Sequence, residues 1–149
     1  MVRKAVLSDV EQIHKLIKNA SKKGNVLPRS VLSICENIRD FFVFEVKGRV
    51  IGTCALHVVW KELAEIRSLV VLPRYRRRGI GGELVKEAIK EAKSIGIKKI
   101  FVLTNNERFF KKFNFKRVKR DSLPHKIWID CINCPKFPVC DEVPLLLKI

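Results

Sequence analysis

Residues 66–95 restrict the fold more than any other part of the chain. An apolar run at 66–72 leads into the loop PRYRRRGIGGEL, residues 73–84, which contains four arginines and three glycines. Apolar residues with helical spacing then follow at positions 80, 84, 88 and 92, until Gly96. The first turn of a helix leaves backbone N–H groups without partners, so a strand that enters a glycine-rich loop and then a helix predicts a phosphate site.

The rest of the chain alternates short strands and helices. Strands are predicted at residues 2–6, 41–46, 49–60, 62–72, 99–104 and 115–118, and helices at 10–23, 30–39, 80–95 and 107–113. Ser8 followed by Glu11 predicts a capping box for the first helix. Several strands precede one strand–loop–helix–strand unit, which indicates a mixed α/β sheet. We expect a single domain over residues 1–149, with residues 120–149 as a C-terminal extension packed on it.

The charge balance predicts an anionic partner. The chain has 31 Lys and Arg against 15 Asp and Glu, a net charge of +16. Nucleic acid, a membrane surface and a phosphorylated small molecule all fit this balance, and so does the lysine-rich surface of a heat-adapted protein. Few aromatic residues interleave with the basic ones, which disfavours a nucleic-acid platform. No apolar run approaches the roughly 18 residues of a membrane span, and the charged N-terminus is unlike a signal peptide, so we expect a cytoplasmic protein without membrane contact.

The glycine-rich loop is of neither of two common phosphate-binding types. No Lys-Ser or Lys-Thr follows it, as in a Walker loop, and its glycine spacing differs from the dinucleotide fingerprint. Glycine allows close approach of a ligand to the backbone, and arginine side chains supply charge that suits a pyrophosphate.

The segment Leu69-Val70-Val71-Leu72-Pro73, continued by Tyr75-Arg76-Arg77-Arg78-Gly79-Ile80-Gly81, resembles the central motif of the GNAT superfamily of N-acyltransferases. The resemblance implies a mainly antiparallel sheet flanked by helices, and acetyl-CoA as the acetyl donor. It also implies that the strand Leu69, Val70 and Val71 binds the pantetheine arm. The pyrophosphate would be held by Arg76, Arg77, Arg78, Gly79, Ile80, Gly81 and Gly82. Arg77 stands where the family often has a glycine.

The same resemblance implies a catalytic residue. Glu65, eleven residues before Arg76, corresponds to a glutamate that serves as general base in several GNAT enzymes. The alternative is that Glu65 pairs with Lys61 or Arg67 on the sheet surface. The family often has a tyrosine that protonates the departing thiolate, and Phe110 occupies that position here. Water, His57 or His125 remain alternatives for this step.

Further segments resemble the short, single-domain N-acetylglutamate synthases. They are Glu65–Leu69, Phe101–Thr104 and the tail LPHKIWIDCINCPKFPVCDEV. The resemblance implies direct transfer of acetyl to the α-amine of L-glutamate within a ternary complex, the first step of arginine synthesis. Cations must then hold the acceptor's carboxylates, and the candidates for acceptor binding are Arg67, Ser68 and Lys126, with Arg108 as a further cation. Ser68 would face away from Glu65 unless a β-bulge intervenes.

Other functions remain open. The acceptor could be a protein N-terminus, another amino acid or a small amine, although a polyamine would be repelled by the positive charge. A non-enzymatic nucleic-acid-binding module is the least favoured alternative, and a homodimer is left open.

The tail carries a C-x2-C-x5-C pattern formed by Cys131, Cys134 and Cys140. Two cysteines at C-x2-C spacing are the common first half of a zinc site, and a fourth ligand would have to come from elsewhere. Buried thiols and a disulfide are the alternatives.

Overall fold

A computed structural model describes residues 1–123 and 142–149, and within them seven strands form one sheet in the order β1-β2-β3-β4-β5-β7-β6. Neighbouring strands are antiparallel except β4 and β5, which are parallel. The strands are β1 Val2–Lys4, β2 Phe41–Val46, β3 Arg49–Trp60, β4 Leu63–Val71, β5 Lys99–Thr104, β6 Lys116–Arg117 and β7 Val143–Lys148. The helices are α1 Val10–Lys22, α2 Val31–Glu36, α3 Ile80–Ser94 and α4 Glu107–Lys111.

Helices cover both faces of this sheet. On one face, α3 buries Leu84, Val85 and Ala88 against β3 and β4. On the other face, α1 buries an apolar stripe at i, i+3, i+4 and i+7 spacing, which packs with Ile34 of α2. The stripe comprises Val10, Ile13, Leu16, Ile17 and Ala20. The mixed α/β fold expected from the sequence is therefore confirmed.

An ion pair joins the start of the chain to the first helix. The guanidinium of Arg3 donates to both carboxylate oxygens of Asp9 at 2.8 and 2.9 Å, and also to Glu45 at 2.9 Å. The Asp9 carboxylate is buried and accepts a further bond from the Val6 N–H. Hydrogen bonds from Arg3 hold the pKa of Asp9 below its ordinary value.

Several element boundaries differ from the sequence-based predictions. Ser8 lies inside a 3-10 turn, Leu7–Asp9, and α1 begins after Asp9, so the capping box of Ser8 and Glu11 is wrong. The carboxylate that satisfies a backbone donor at this helix start is that of Asp9. Strand β7 was missed, because its sequence VPLLLK follows the unusual tail and does not alternate between apolar and polar residues.

The described cysteines and helices bear on two further expectations. Cys35 and Cys54 are free thiols, and burial raises the pKa of the Cys54 thiol to about 12. Cys131, Cys134 and Cys140 lie outside the described residues, as do His125 and Lys126. Among the described helices, none is both long and apolar enough to cross a membrane.

We expect Asp9→Asn to lower the free energy of unfolding at pH 7 by about 2 kcal/mol, because it removes a charged acceptor of buried hydrogen bonds. A depressed pKa gives stability that is complete above the ordinary value of about 3.9 and is lost as the pH falls through the folded value. The difference between wild type and Asp9→Asn should therefore shrink below about pH 4. Urea unfolding at several pH values measures it, and a difference independent of pH would contradict the assignment.

Candidate active site

The two parallel strands separate part-way along the sheet. β4 and β5 pair only at Leu63–Lys99, Ala64–Ile100 and Glu65–Phe101. Beyond that point β4 stays paired with β3 as far as Val71, whereas β5 stays paired with β7 as far as Thr104. The sheet therefore has an opening here, with β4 on one side of it and β5 on the other.

A β-bulge in β4 lies at this opening. Thr53 of β3 is paired with Val70, and Ala55 is paired with Arg67, so two residues of β4 face one residue of β3. Ser68 adopts the left-handed conformation, with φ of 56°. The sequence allowed for a β-bulge at Ser68 as one possibility, and the structure contains it. It changes which side chains face α3: Ala64 and Ile66 before the bulge, and Leu69 and Val71 after it.

A cavity of about 800 Å³ occupies the opening. This volume falls within the usual range of small-molecule sites, about 300–1,000 Å³. Its walls come from β4, the arginine-glycine loop, the end of β5, the start of α4 and the connection between α1 and α2. Among the lining residues are Arg29, Glu65, Arg67, Ser68, Leu69, Val70, Val71, Tyr75, Arg76, Arg77, Gly79, Ile80, Gly81, Gly82, Thr104, Asn106, Phe109, Phe110 and Lys112.

The loop reaches the first turn of α3 through two residues in the left-handed region. Arg77 has φ of 65° and Gly79, immediately before the helix, has φ of 80°. Arg77 adopts without a glycine's freedom a backbone conformation that costs a non-glycine residue some energy. The first-turn N–H groups of α3 lie at the cavity, because Ile80, Gly81 and Gly82 line it.

Gly81 and Gly82 also allow two aromatic rings, of Phe109 in α4 and of Phe113 just after it, to pack closely on α3. A Cβ at Gly81 would lie 3.4 Å from Cζ of Phe109, and a Cβ at Gly82 would lie 3.3 Å from Cζ of Phe113. These glycines thus leave room for both the aromatic rings and a ligand at the helix start.

The arginines of the loop divide into two groups. Arg76 and Arg77 line the cavity. Arg78 does not line it; its guanidinium lies 5.3 Å from the centre of the Tyr75 ring, and that of Arg74 lies 5.7 Å from the same ring. The charge of Arg78 therefore lies outside the cavity wall, and a role for Arg78 in cofactor binding stays a prediction.

Glu65 and Arg67 form an ion pair in the wall of the cavity. An oxygen of Glu65 lies 3.7 Å from a nitrogen of Arg67, and the two side chains are only 12% and 16% exposed. The pairing that the sequence offered as the alternative to catalysis is thus present, but it lies in the cavity and not on an open sheet surface. A catalytic role for Glu65 and an acceptor-binding role for Arg67 remain compatible with it.

Phe110, in α4, occupies the position where the sequence resemblance leads us to expect a tyrosine. Phe110 is buried in an edge-to-face contact with Phe109, with ring centres 5.0 Å apart, and Phe115 lies 5.4 Å away. Asn114, in the turn after this helix, has φ of 70°, a conformation that asparagine tolerates better than most residues. A phenyl ring has no proton to give a thiolate, so Phe110 can fill space in the site but cannot act as an acid.

Sequence reasoning missed two groups that line the cavity. Arg29 lies in the connection before α2, and nothing in its local pattern separates it from the other 30 basic residues. Thr104 ends β5, and its buried hydroxyl accepts a hydrogen bond of 2.9 Å from the Asn106 N–H. A polar residue at the end of a buried strand could have been recognised in the sequence as a candidate site residue. Arg108, the further cation, is absent from the described cavity wall.

Comparison with known proteins decides the family. The model of the Acetyltransferase (GNAT) family matches residues 12–115, which is more than half of the chain. The chain belongs to the GNAT family. It is an acetyl-CoA-dependent N-acetyltransferase, as the sequence predicted.

Three proteins from the comparison are similar to this GNAT chain over most of its length. The uncharacterized N-acetyltransferase CT2212 from Chlorobaculum tepidum is 45% identical over 145 residues, 97% of this chain and 94% of that protein. An amino-acid acetyltransferase from Mycobacterium tuberculosis is 33% identical over 122 residues, 80% of this chain and 70% of that protein. The structure of N-acetylglutamate synthase from Neisseria gonorrhoeae, complexed with coenzyme A and N-acetyl-glutamate, matches with a TM-score of 0.90 and 27% identity. That match covers 99% of this chain and 34% of the Neisseria chain.

We expect Gly81→Asp to weaken acetyl-CoA binding at least about tenfold, because a carboxylate at the helix start would repel the pyrophosphate. Gly81→Asn has the same size without the charge and should bind several-fold better than Gly81→Asp. Gly81→Ala should lose the least affinity of the three, because its Cβ meets Phe109 at a contact distance of 3.4 Å and it adds neither charge nor a long side chain. Titration calorimetry measures the three affinities, and equal losses for the Asp and Asn variants would remove the phosphate assignment.

Proposed function

We propose that this GNAT chain transfers the acetyl group of acetyl-CoA to the α-amine of L-glutamate. The observation that carries the proposal is that Glu65 and two arginines, Arg29 and Arg67, line one cavity together with the loop at the start of α3. The acceptor's ammonium must lose a proton before it can attack, and the Glu65 carboxylate is a group that can take it. Two guanidinium groups suit an acceptor with two carboxylates. The amino-acid acetyltransferase name of the M. tuberculosis relative supports this acceptor class.

Acetyl-CoA would lie along β4 and end at α3. Because β4 separates from β5 after Glu65, the backbone of Leu69, Val70 and Val71 is available to bind an extended pantetheine chain as an added strand would. The first-turn N–H groups of α3 and the charges of Arg76 and Arg77 would hold the pyrophosphate. Arg78 would add to the positive field from its position on Tyr75.

Glu65 would act on the acceptor. The amine of L-glutamate arrives as an ammonium, and Glu65 takes a proton from it before attack. The free amine then attacks the thioester carbonyl carbon. As the C–S bond breaks, the attacking nitrogen loses its second proton and the departing coenzyme A thiolate takes up one proton, so the products are the amide, the thiol of coenzyme A and one proton held on Glu65. Both substrates are bound at once, so the cavity contributes chiefly by holding the amine against the thioester.

Arg67, Arg29 and Ser68 would position the acceptor. Arg67 lies beside Glu65, so a carboxylate bound to Arg67 brings its amine within reach of the base. The left-handed φ of Ser68 and its place in the bulge give its hydroxyl a position at the cavity that a regular strand would not. Lys126 remains a predicted acceptor ligand in the undescribed part of the chain, and zinc at Cys131, Cys134 and Cys140 remains a prediction as well. We further propose a single catalytic domain over residues 1–149 that acts in the cytoplasm, in the first step of arginine synthesis.

The acceptor is tested by thiol release from acetyl-CoA with L-glutamate, L-glutamine, L-aspartate, spermidine and a short peptide. We expect L-glutamate to have a kcat/KM at least about tenfold above the others, because each charged hydrogen bond to a matching carboxylate contributes about 1.5–3 kcal/mol. Preference for L-glutamine or L-aspartate would keep the amino-acid acceptor and change the side-chain specificity. Activity with the peptide or spermidine alone would contradict the proposed acceptor while leaving the family unchanged.

We expect Glu65→Gln to lower kcat about 100-fold, because general base catalysis contributes about 10²–10⁴. The KM for acetyl-CoA should stay within about threefold, since the pyrophosphate is held elsewhere. Steady-state kinetics measure both values. Glu36→Gln, on the exposed side of α2, is the matched control and should behave as wild type. Wild-type turnover in Glu65→Gln would reduce Glu65 to a structural partner of Arg67.

A further inference from the structure

A row of three ionisable side chains leads away from the cavity. His57 of β3 is the direct cross-strand partner of Glu65 of β4. Side chains of such a pair lie on the same face of the sheet, with Cβ atoms about 5 Å apart. On its other side, His57 contacts Asp40, in the turn immediately before β2: Nδ1 of His57 lies 2.6 Å from Oδ2 of Asp40.

His57 is the most exposed of the three side chains. The Glu65 side chain is 12% exposed, His57 is 29% exposed and Asp40 is 24% exposed. Glu65 lines the cavity, whereas His57 does not. His57 is therefore badly placed to protonate a thiolate in the cavity, which was one role that the sequence left open. It is well placed to exchange protons between Glu65 and water.

The proposed reaction creates a need for such an exchange. Each turnover leaves one proton on Glu65, and both substrates fill the cavity that this side chain lines. A contact between Nδ1 and a carboxylate fixes the imidazole tautomer with its proton on Nδ1, so that Nε2 is the nitrogen free to accept a proton.

We propose that His57, oriented by Asp40, carries the proton that Glu65 takes from the acceptor amine to the solvent. The proton leaves the ammonium nitrogen for a carboxylate oxygen of Glu65 and passes from there to Nε2 of His57. The resulting imidazolium keeps its Nδ1–H contact with Asp40 and then releases one proton to water, which restores both side chains. The inference rests on the proposed role of Glu65 as the base, and it makes His57 and Asp40 positioning residues that act through Glu65.

The charges around His57 fit this path. Two acidic groups flank it: Asp40, in the turn before β2, which contacts Nδ1, and its cross-strand partner Glu65, which is itself paired with Arg67. The imidazole thus lies between one carboxylate that lines the cavity, paired there with Arg67, and one carboxylate that does not line it. This order of groups leads from the cavity toward solvent.

The test is the kinetics of His57→Ala with the acceptor that the panel identifies. We expect kcat to fall about tenfold, with the KM for acetyl-CoA nearly unchanged, because proton transfer and not cofactor binding is impaired. Added imidazole should restore kcat in a concentration-dependent way. Pyrazole has nearly the same shape but is a much weaker base, and it should not restore kcat. Asp40→Asn should lower kcat about threefold or more, because it no longer fixes the productive tautomer.

Control variants separate this path from a structural role. His57→Gln keeps a polar side chain of similar length but cannot carry a proton, so it should lose as much kcat as His57→Ala. His14→Ala, on α1 away from this row, should behave as wild type. Thermal unfolding of each variant reports folding independently of turnover.

Two results would overturn the inference. One is wild-type kcat in His57→Ala or His57→Gln; the other is a fall that imidazole does not restore, or that pyrazole restores equally. Glu65→Gln in the same series distinguishes the two proposals. If Glu65→Gln is impaired while the His57 variants turn over normally, only the proton path fails. If Glu65→Gln turns over normally, the proposed base fails and the path fails with it.

Discussion

The site depends on the separation of β4 and β5 after Glu65 and Phe101. Up to that point the two strands share hydrogen bonds, so neither has a free edge. Beyond it, each strand keeps its other neighbour, and this pairing holds both edges of the opening in place. An unpaired strand edge in a soluble protein invites pairing with another chain. Here the arginine-glycine loop, α4 and the connection before α2 surround the opening, so that it becomes a cavity.

The bulge at Ser68 lets one short strand serve two purposes. Before the bulge, β4 directs Glu65 and Arg67 away from α3 while Ala64 and Ile66 pack under it. After the bulge, Leu69 and Val71 take over the packing against α3. A regular strand would keep the same alternation throughout, and the apolar residues at 69 and 71 would then lie on the face of Glu65. The bulge reverses the alternation of side chains along β4. The strand can therefore direct Glu65 and Arg67 away from α3 and, a few residues later, pack Leu69 and Val71 against α3.

Much of this arrangement could be predicted from the sequence, because it depends on local patterns. The strand, loop and helix around residues 66–95 combine a strong helical period with glycines at the required positions. The family resemblance then extended this unit to the whole fold. Arg29 could not be found in this way, since its importance comes from the packing of a distant connection beside β4. Strand β7 was missed because its pairing with β5 and β6 is also a long-range contact, and a short apolar run such as VPLLLK does not indicate it. The ion pair of Glu65 and Arg67 was foreseen as one of two alternatives, and only the three-dimensional arrangement places it in a cavity.

The order of strands has a consequence for how the chain acquires its structure. β6 precedes β7 in the chain, yet it joins the sheet only through β7, which lies between it and β5. During synthesis, the part of the sheet from β1 to β5 can assemble while β5 still exposes an unsatisfied edge. Residues 143–148 must leave the ribosome before that edge is covered and β6 can attach. Closing contacts of such high sequence separation is the slow part of folding. The edge of β5 next to the site is thus covered by a strand that contributes no residue to the cavity wall.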